Sequence, residues 1–558
     1  MKKSSALNPT ANRREFLRDM AVAGGVAFLS TSPTRAFGQA ERRIPPVSIT
    51  YYTTLPEQED IWKLVTQDWK KLGLDIKLNV LATPVALHRM YTDRDYGHIG
   101  SVSWASDMTR LDPNFHLGEQ LHSDGVRTGG RNYGFYHSAE FDKYCDLQRR
   151  EMDRDKRREY VWKAQEAAAA DYPIWWMYYS ANIEAYNSRD WENVQPMPIG
   201  GLGSFYNLWT YLQIRPKTAR KRIRVAYGSE IYNLNPFSGH NAPSIAAMRW
   251  VYDTYARIGP NLDAVPWAAE SWNIVGPKTM DITLRAGMKF HDGKPVTVQD
   301  VKFTWDYTQK WKFPLYNWIN KHVEKTDILN DRAVRFHLTE PHAPFIDQIL
   351  TTALILPKHI WEKIPESAGL KNPIDWPNAA PIGSGPFKIK TFKKGEEIHL
   401  EANKEHWQAP VIEGMYWRFN MAPDALASAM IAEEADIIGS EIRLSLAKTL
   451  ERHKHLTVVK TPSNRIWMAR PDMRKKPFDD KEFRRALYHA MNIKKIHEVI
   501  FEGTGVEGRN TPISPILKFW HNPNIPPIDF SIDKARGILK AAGYEWDKDG
   551  RLLFPRKA

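Results

Sequence analysis

A run of glycines, a pair of histidines and a serine between glycines are the spacings in this 558-residue chain that suggest chemistry. Gly503, Gly505 and Gly508 fit G-x-G-x-x-G, a loop whose backbone amides cradle a pyrophosphate. Such a loop must follow a strand and open a helix. Here a helix-like run precedes it and a proline-rich stretch follows, so no nucleotide or other cofactor is expected. His453 and His455 are two residues apart, not at useful helical spacing, and they sit among lysines and arginines that disfavour a cation. Gly383-Ser384-Gly385 lacks the spacing of a nucleophile elbow. Cys145 is the single cysteine, so it forms no internal disulfide; within the helix-like run 140–170 it reads as a small buried thiol. None of these features argues for catalysis or a bound metal.

The elements around them are those of an α/β protein. Residues 47–52 read as a strand, 56–72 as a helix with Ile61, Leu64, Val65, Trp69 and Leu72 near helical spacing, and 74–81 as a second strand. At the far end, 531–543 reads as a helix closed by Gly543, 547–550 as a turn and 551–554 as a short strand. Hydrophobic residues make up 42% of the chain, enough for several domains with substantial cores. No apolar run approaches the ~20 residues that cross a bilayer.

Residues 1–40 carry Arg13-Arg14 before Phe16-Leu17, an apolar stretch at 20–29, and Gly38-Gln39-Ala40. The expectation is a twin-arginine signal peptide cleaved after Ala40, with no lipid anchor and a mature protein free in a periplasm. Of the formal net charge of +13, the leader supplies +4 (six basic residues against two acidic), leaving +9. Those charges are interleaved, as in 479–485, which fits a solvated surface and no nucleic-acid partner. The charge-rich helix at 149–163 is read the same way.

Residues 270–305, ESWNIVGPKTMDITLRAGMKFHDGKPVTVQDVKFTW, resemble a segment near the mature amino terminus of family 5 of the extracytoplasmic solute-binding proteins, receptors that feed ABC importers. Residues 381–387, 403–407 and 476–480 continue the resemblance into a helix at 484–491. Residues 104–115 (WASDMTRLDPNF), 136–142 (YHSAEFD) and 171–173 resemble motifs that come late in the family. The order is inverted, and the resemblance implies a circular permutation. In that scheme 215–222 is a linker joining the family's native ends. The first lobe is 223–263 and 377–462 with 187–214 returning to it, 264–376 is an extra domain inserted in it, and the second lobe is 46–186 with 463–555. The implied fold is a two-lobed type II periplasmic binding protein with mixed sheets flanked by helices. Asp472 departs from the family's usual Asn, and Arg110-Leu111 resemble an insertion before Asp112.

The resemblance also implies a site. Asp107, three residues after Trp104, is similar to the family's ammonium-binding aspartate, against the alternative of a helix cap or loop brace. Trp104 is a cleft wall or ordinary core packing. Ser229, Glu230, Ile231 and Tyr232 resemble the stretch whose backbone pairs with an extended ligand, against loop scaffolding. Trp467 is a further ligand-facing candidate. Arg94 and Arg110 are candidate partners for a ligand carboxylate, weighed against solvated arginines. The implied function is a monomeric periplasmic component that captures short peptides or opine-like solutes by hinge closure, for a permease and ATPase. Alternatives are a nickel-chelate or haem carrier, a peptide hydrolase on the same scaffold, or a protein that hands ligand to a receptor.

Overall fold

In the computed structural model, which describes residues 42–104, 110–204, 206–238 and 241–556, the expected opening unit is present. Strand β1 (Val47–Tyr52), helix α1 (Pro56–Lys70) and strand β2 (Ile76–Leu81) form a parallel β-α-β unit in register from Val47 opposite Ile76 to Tyr52 opposite Leu81. The spacing of Ile61, Trp62, Val65 and Trp69 puts all four on the buried face of α1. Strand β3 (Ile99–Trp104) pairs with the other edge of β1. The run at 140–170 divides into α2 (Ala139–Arg150) and α3 (Arg154–Asp171), because Asp153 accepts from the Lys156 amide and starts a new helix. Cys145 is fully buried on α2, and burial pushes its thiol up to about 12, which keeps it inert.

Next come β4 (Trp175–Asn187) and β5 (Arg222–Ala226), then a four-stranded antiparallel sheet of β6 (Ala269–Gly276), β7 (Thr279–Leu284), β8 (Val323–Ile328) and β9 (Ala333–Leu338) in the order β6-β7-β9-β8. Helix α4 (Val298–Trp311) belongs to this part and starts with a capping box between Thr297 and Asp300. The chain continues through β10 (Phe387–Lys393), β11 (Glu397–Ala402), β12 (Gly414–Arg418), β13 (Ile437–Ile438) and β14 (Leu456–Pro471). It then forms α5 (Lys481–His489), β15 (Val506–Glu507), α6 (Ile532–Ala541) and a hairpin of β16 (Glu545–Trp546) and β17 (Leu552–Leu553). One mixed sheet of eleven strands runs through both lobes in the order β10-β11-β12-β5-β13-β4-β14-β3-β1-β2, with β15 on β4. Among the described residues no helix is long and apolar enough to cross a membrane. The leader, 1–40, lies outside the described residues.

Residues from early and late in the chain share one core. Val47, Ile49, Trp62 and Trp69 pack with Phe483, Leu487, Leu539 and Leu552. Backbone bonds tie the same parts together: Ile44 N donates to Leu552 O at 3.2 Å and Leu552 N to Gly73 O at 3.0 Å. The segment 215–222, read from sequence as a plain connector, is more than a tether. Arg215–Pro216 pairs with Trp191–Glu192, and Arg220 reaches Asp190 at 2.9 Å and Asp436 at 2.7 Å.

Candidate ligand-binding cleft

Two long antiparallel strands, β4 and β14, lie side by side within the eleven-stranded sheet. They pair in two stretches, from Leu456 opposite Asn187 to Pro462 opposite Ala181 and from Ile466 opposite Tyr179 to Ala469 opposite Trp175. Between these stretches the register shifts, so residues 463–465 bulge where β4 has only Ser180. A bulge loosens the ladder and bends it, which makes this the mechanical weak point between the lobes.

One strand end meets that point, and two others lie further along β4. The carboxyl end of β3 arrives from the second lobe, with Trp104 opposite Ile466. The carboxyl ends of β5 and β13 lie beside the far part of β4, where Ile437 faces Tyr186 and Ile438 faces Ala226, and the chain beyond β13 runs back toward Ser180, with Ile442 N bonded to Ile183 O. Crevices beyond the carboxyl ends of strands are where α/β sheets place ligands.

On the second-lobe side, Trp104 is half-buried and its Nε1 donates to the Tyr91 hydroxyl at 2.7 Å. The chain then passes through 105–109, so Asp107 lies outside the described residues. It resumes with Arg110 half-buried, its guanidinium 5.4 Å from the Trp104 ring centre and 5.3 Å from that of Phe115. Leu111 is buried in the core. Asp112 forms a two-pronged pair with Arg157, at 2.7 and 2.8 Å, with both side chains buried. The helix expected to present only a solvated face thus turns Arg157 inward to meet an acid 45 residues away.

On the first-lobe side, residues 229–232 form no strand. Ser229 O accepts from Asn420 N at 3.2 Å, Glu230 O from Asn241 Nδ2 at 2.8 Å, and Tyr232 N donates to Ser244 Oγ at 2.9 Å. Much of the backbone proposed to pair with ligand therefore already braces the helix that begins after Asn241. Glu230 is half-buried, the Ile231 side chain is fully buried, and the Tyr232 ring is 41% exposed.

Trp467 lies away from Trp104. Alternation along β14 sends Trp467 and Ala469 to the sheet face whose core includes Phe478 and Leu487, and Met468 and Arg470 to the other. Trp467 is 4% exposed and tilts on Phe501 at 5.4 Å, so it is core and not an open wall. Gly505 and Gly508 also have a local reason: a side-chain carbon at either would run into the Tyr179 or Trp176 carbonyl oxygen of β4, at 2.3 and 1.9 Å.

Sequence reading missed Arg470. It is 3% exposed, with its guanidinium carbon 4.4 Å from the centre of the Trp104 ring, 5.3 Å from Tyr133 and 6.0 Å from Tyr91. Each such contact contributes about 0.5 to 2 kcal/mol, whereas a buried unpaired ion costs several kcal/mol. The signal was a charge at an inward position two residues after Met468.

The hinge itself carries charge. Arg465, in the bulge, pairs with Glu441 of the first lobe at 2.9 Å, and burial raises the Glu441 carboxyl. Glu184 on β4 is buried and accepts the Leu202 and Gly203 amides. Burial pushes it up to about 7, more than those amides lower it. Its folded value lies above the ordinary 4.5, so its contribution to stability is complete below 4.5 and is lost as pH rises through about 7. Melting temperatures across pH 5 to 8 should therefore fall more steeply for the natural protein than for Glu184→Gln. A slope that Gln leaves unchanged would remove Glu184 as the cause.

A mixed sheet flanked by helices, with β4 and β14 as its longest strands, makes this a two-lobed α/β protein. The chain belongs to the bacterial extracellular solute-binding proteins, family 5, whose middle-region model matches residues 263–557. It is 30% identical over 293 residues to the oligopeptide-binding protein AppA of Bacillus subtilis (strain 168), covering 50% of this chain and 52% of AppA. It is 26% identical over 306 residues to the dipeptide-binding protein of Escherichia coli (strain K12), covering 51% of this chain and 56% of that protein. The structure of B. subtilis AppA with a nonapeptide superposes with a TM-score of 0.44 at 24% identity, over 59% of this chain and 67% of that one. The chain thus spans about half the length of these two relatives.

Proposed function

We propose that this chain is the exported substrate-binding component of an ABC importer, capturing short peptides or opine-like, amine-bearing solutes between its lobes and delivering them to a permease and its ATPase. The observation that carries this reading is the family match over residues 263–557, with the end of β3 meeting the bulged pair β4 and β14. A ligand seated there touches both lobes only when they close, and those extra contacts favour the closed form. Relatives named for oligopeptides, dipeptides and glutathione support the ligand class. In this reading Asp107 receives the ligand's ammonium, Trp104 and Arg110 wall the cleft, and Glu230 and Tyr232 border it from the first lobe. The protein binds and releases without covalent chemistry, acts as a monomer, and is exported to the periplasm by the twin-arginine leader.

The reading includes a circular permutation, in which segments that come late in the family precede residues 263–557. Its support is that residues 44–81 and 483–553 build a single core, and that the connector 215–222 is held by pairing and ion pairs.

Thermal shift on the purified chain tests the ligand, using free-amine peptides, their N-acetylated forms, opines and nickel chelates, with Asp107→Ala alongside. A ligand at 100 times its Kd should stabilise by about 2.7 kcal/mol, and both acetylation and Asp107→Ala should abolish this. Stabilisation by nickel chelates alone would replace the peptide reading with a metal-chelate carrier. Turnover of a peptide would replace it with an enzyme.

A further inference from the structure

Arg470 sits in the middle of a ladder in which five arginines alternate with four aromatic rings. From one end, Arg474 lies 3.5 Å from the Phe135 ring centre, and Arg94 lies 5.8 Å from Phe135 and 5.3 Å from Tyr133. Arg470 bridges Tyr133 at 5.3 Å and Trp104 at 4.4 Å. Arg110 then bridges Trp104 at 5.4 Å and Phe115 at 5.3 Å, and Arg131 closes the ladder 5.5 Å from Phe115. Arg110, Tyr91, Trp104, Tyr133 and Phe135 are all half-buried, so this is a wall with an open side rather than sealed core.

The ladder's cations are not neutralised alike. Arg474 has the Asp472 carboxylate at 2.7 and 2.9 Å, Arg131 has Glu119 at 2.7 Å, and Arg94 donates to the Val126 and Gly130 carbonyls. Arg470 is the most buried of the five, yet its hydrogen bond is a 3.6 Å contact from Nη2 to the Met468 sulfur. Among the described residues no carboxylate pairs with it. A guanidinium braced by rings still has five N–H donors in a plane, a fork that matches a carboxylate's two oxygens. Its ring contact with Trp104 joins it to the hinge end of β3.

We propose that Arg470 receives a carboxylate of the captured solute, making the ligands acids as well as amines. This rests on the cleft reading above but moves the partner of the ligand's carboxylate from Arg94 and Arg110 to a residue that the sequence did not single out. A buried cation that has no acid among the described residues is completed when an anionic ligand arrives, so affinity is tied to that charge. Neutralising the ligand's carboxylate should cost most of what removing the guanidinium costs, and doing both should cost little more.

The experiment measures affinities of a set of tripeptides as free acids and as C-terminal amides, with glutarate as a peptide-free dicarboxylate, for the natural protein, Arg470→Met and Arg470→Lys. The free acids should bind the natural protein about 10- to 100-fold more tightly than the amides, the range expected for one charge-assisted pair. Arg470→Met should bring that ratio close to one, and Arg470→Lys should leave it intermediate. A bracing role alone would shift the melting temperature and weaken acid and amide equally. Equal binding of acid and amide by the natural protein, or a ratio unchanged in Arg470→Met, overturns the proposal. If Arg470→Met does not fold, the acid-to-amide ratio of the natural protein and of Arg470→Lys decides. Binding of glutarate but of no tripeptide, lost in Arg470→Met, sustains the carboxylate site and removes the peptide reading; no binding by any carboxylate removes the site.

Discussion

Replacing Asp436 with alanine should cost the fold about 3 kcal/mol, read as a lower midpoint in chemical denaturation. The Asp436 side chain is fully buried and accepts four bonds: from Arg220 Nη1 at 2.7 Å, from Arg224 Nε at 3.0 Å and Nη2 at 2.8 Å, and from the Arg224 amide at 2.8 Å. Its backbone extends the same junction, with Asp436 N donating to Arg224 O at 2.7 Å and Asn187 N donating to Asp436 O at 2.8 Å. The residue therefore pins the end of β4, the start of β5 and the connector between them. Alanine leaves the Arg224 amide without its acceptor and two guanidinium groups without their shared acid. Both arginine side chains are about one-third exposed, 34% and 35%, so water recovers part of the loss and the effect stays below that of a fully buried pair. Asp436→Asn keeps an acceptor for the amide and should recover roughly half of the cost. A midpoint unmoved by Asp436→Ala would mean that the connector is a passive tether after all.

Local signals were readable in the chain and non-local ones were not. The helical spacing of Ile61, Val65 and Trp69 placed α1, and the short-range turn at 547–550 placed the last short strand, because each depends on neighbours a few residues apart, whereas that strand's partner Glu545–Trp546 was not read. The Asp436 junction joins residues more than 200 positions apart, and nothing in 215–222 announces it. The same holds for Asp112 with Arg157, where an arginine on a charge-rich helix gave no sign of its inward turn. Trp467 was a fair candidate by position, but strand alternation decides which face it takes, and that parity becomes visible only once β14 is paired with β3 and β4. Arg470 follows from the same parity: once Trp467 is assigned to the core, Arg470 falls on Trp104's side of the sheet.

A second large effect is expected at Gly73, where the early and late parts of the chain meet. Gly73 has φ +85°, a left-handed conformation, and an added side-chain carbon would stand 2.2 Å from the Gly550 carbonyl oxygen and 2.9 Å from the Leu552 amide. Both obstacles are backbone atoms, so no side chain can rotate away. The left-handed conformation costs alanine about 1–2 kcal/mol, and forcing the hairpin outward adds about 1–3 kcal/mol more. Gly73→Ala should thus destabilise by about 2–5 kcal/mol. Hydrogen exchange should show the loss first in β16 and β17, because the Leu552 amide bond to Gly73 O and the Trp546 Nε1 bond to Leu72 O, at 3.0 and 2.8 Å, depend on that seat. Gly537 is the internal comparison: it lies exposed on α6 with open space where a side-chain carbon would sit, and Gly537→Ala should stabilise by about 0.4–1 kcal/mol. If Gly73→Ala behaves like Gly537→Ala, the hairpin does not seat on the turn after α1, and the shared core that supports the permuted order loses its strongest contact.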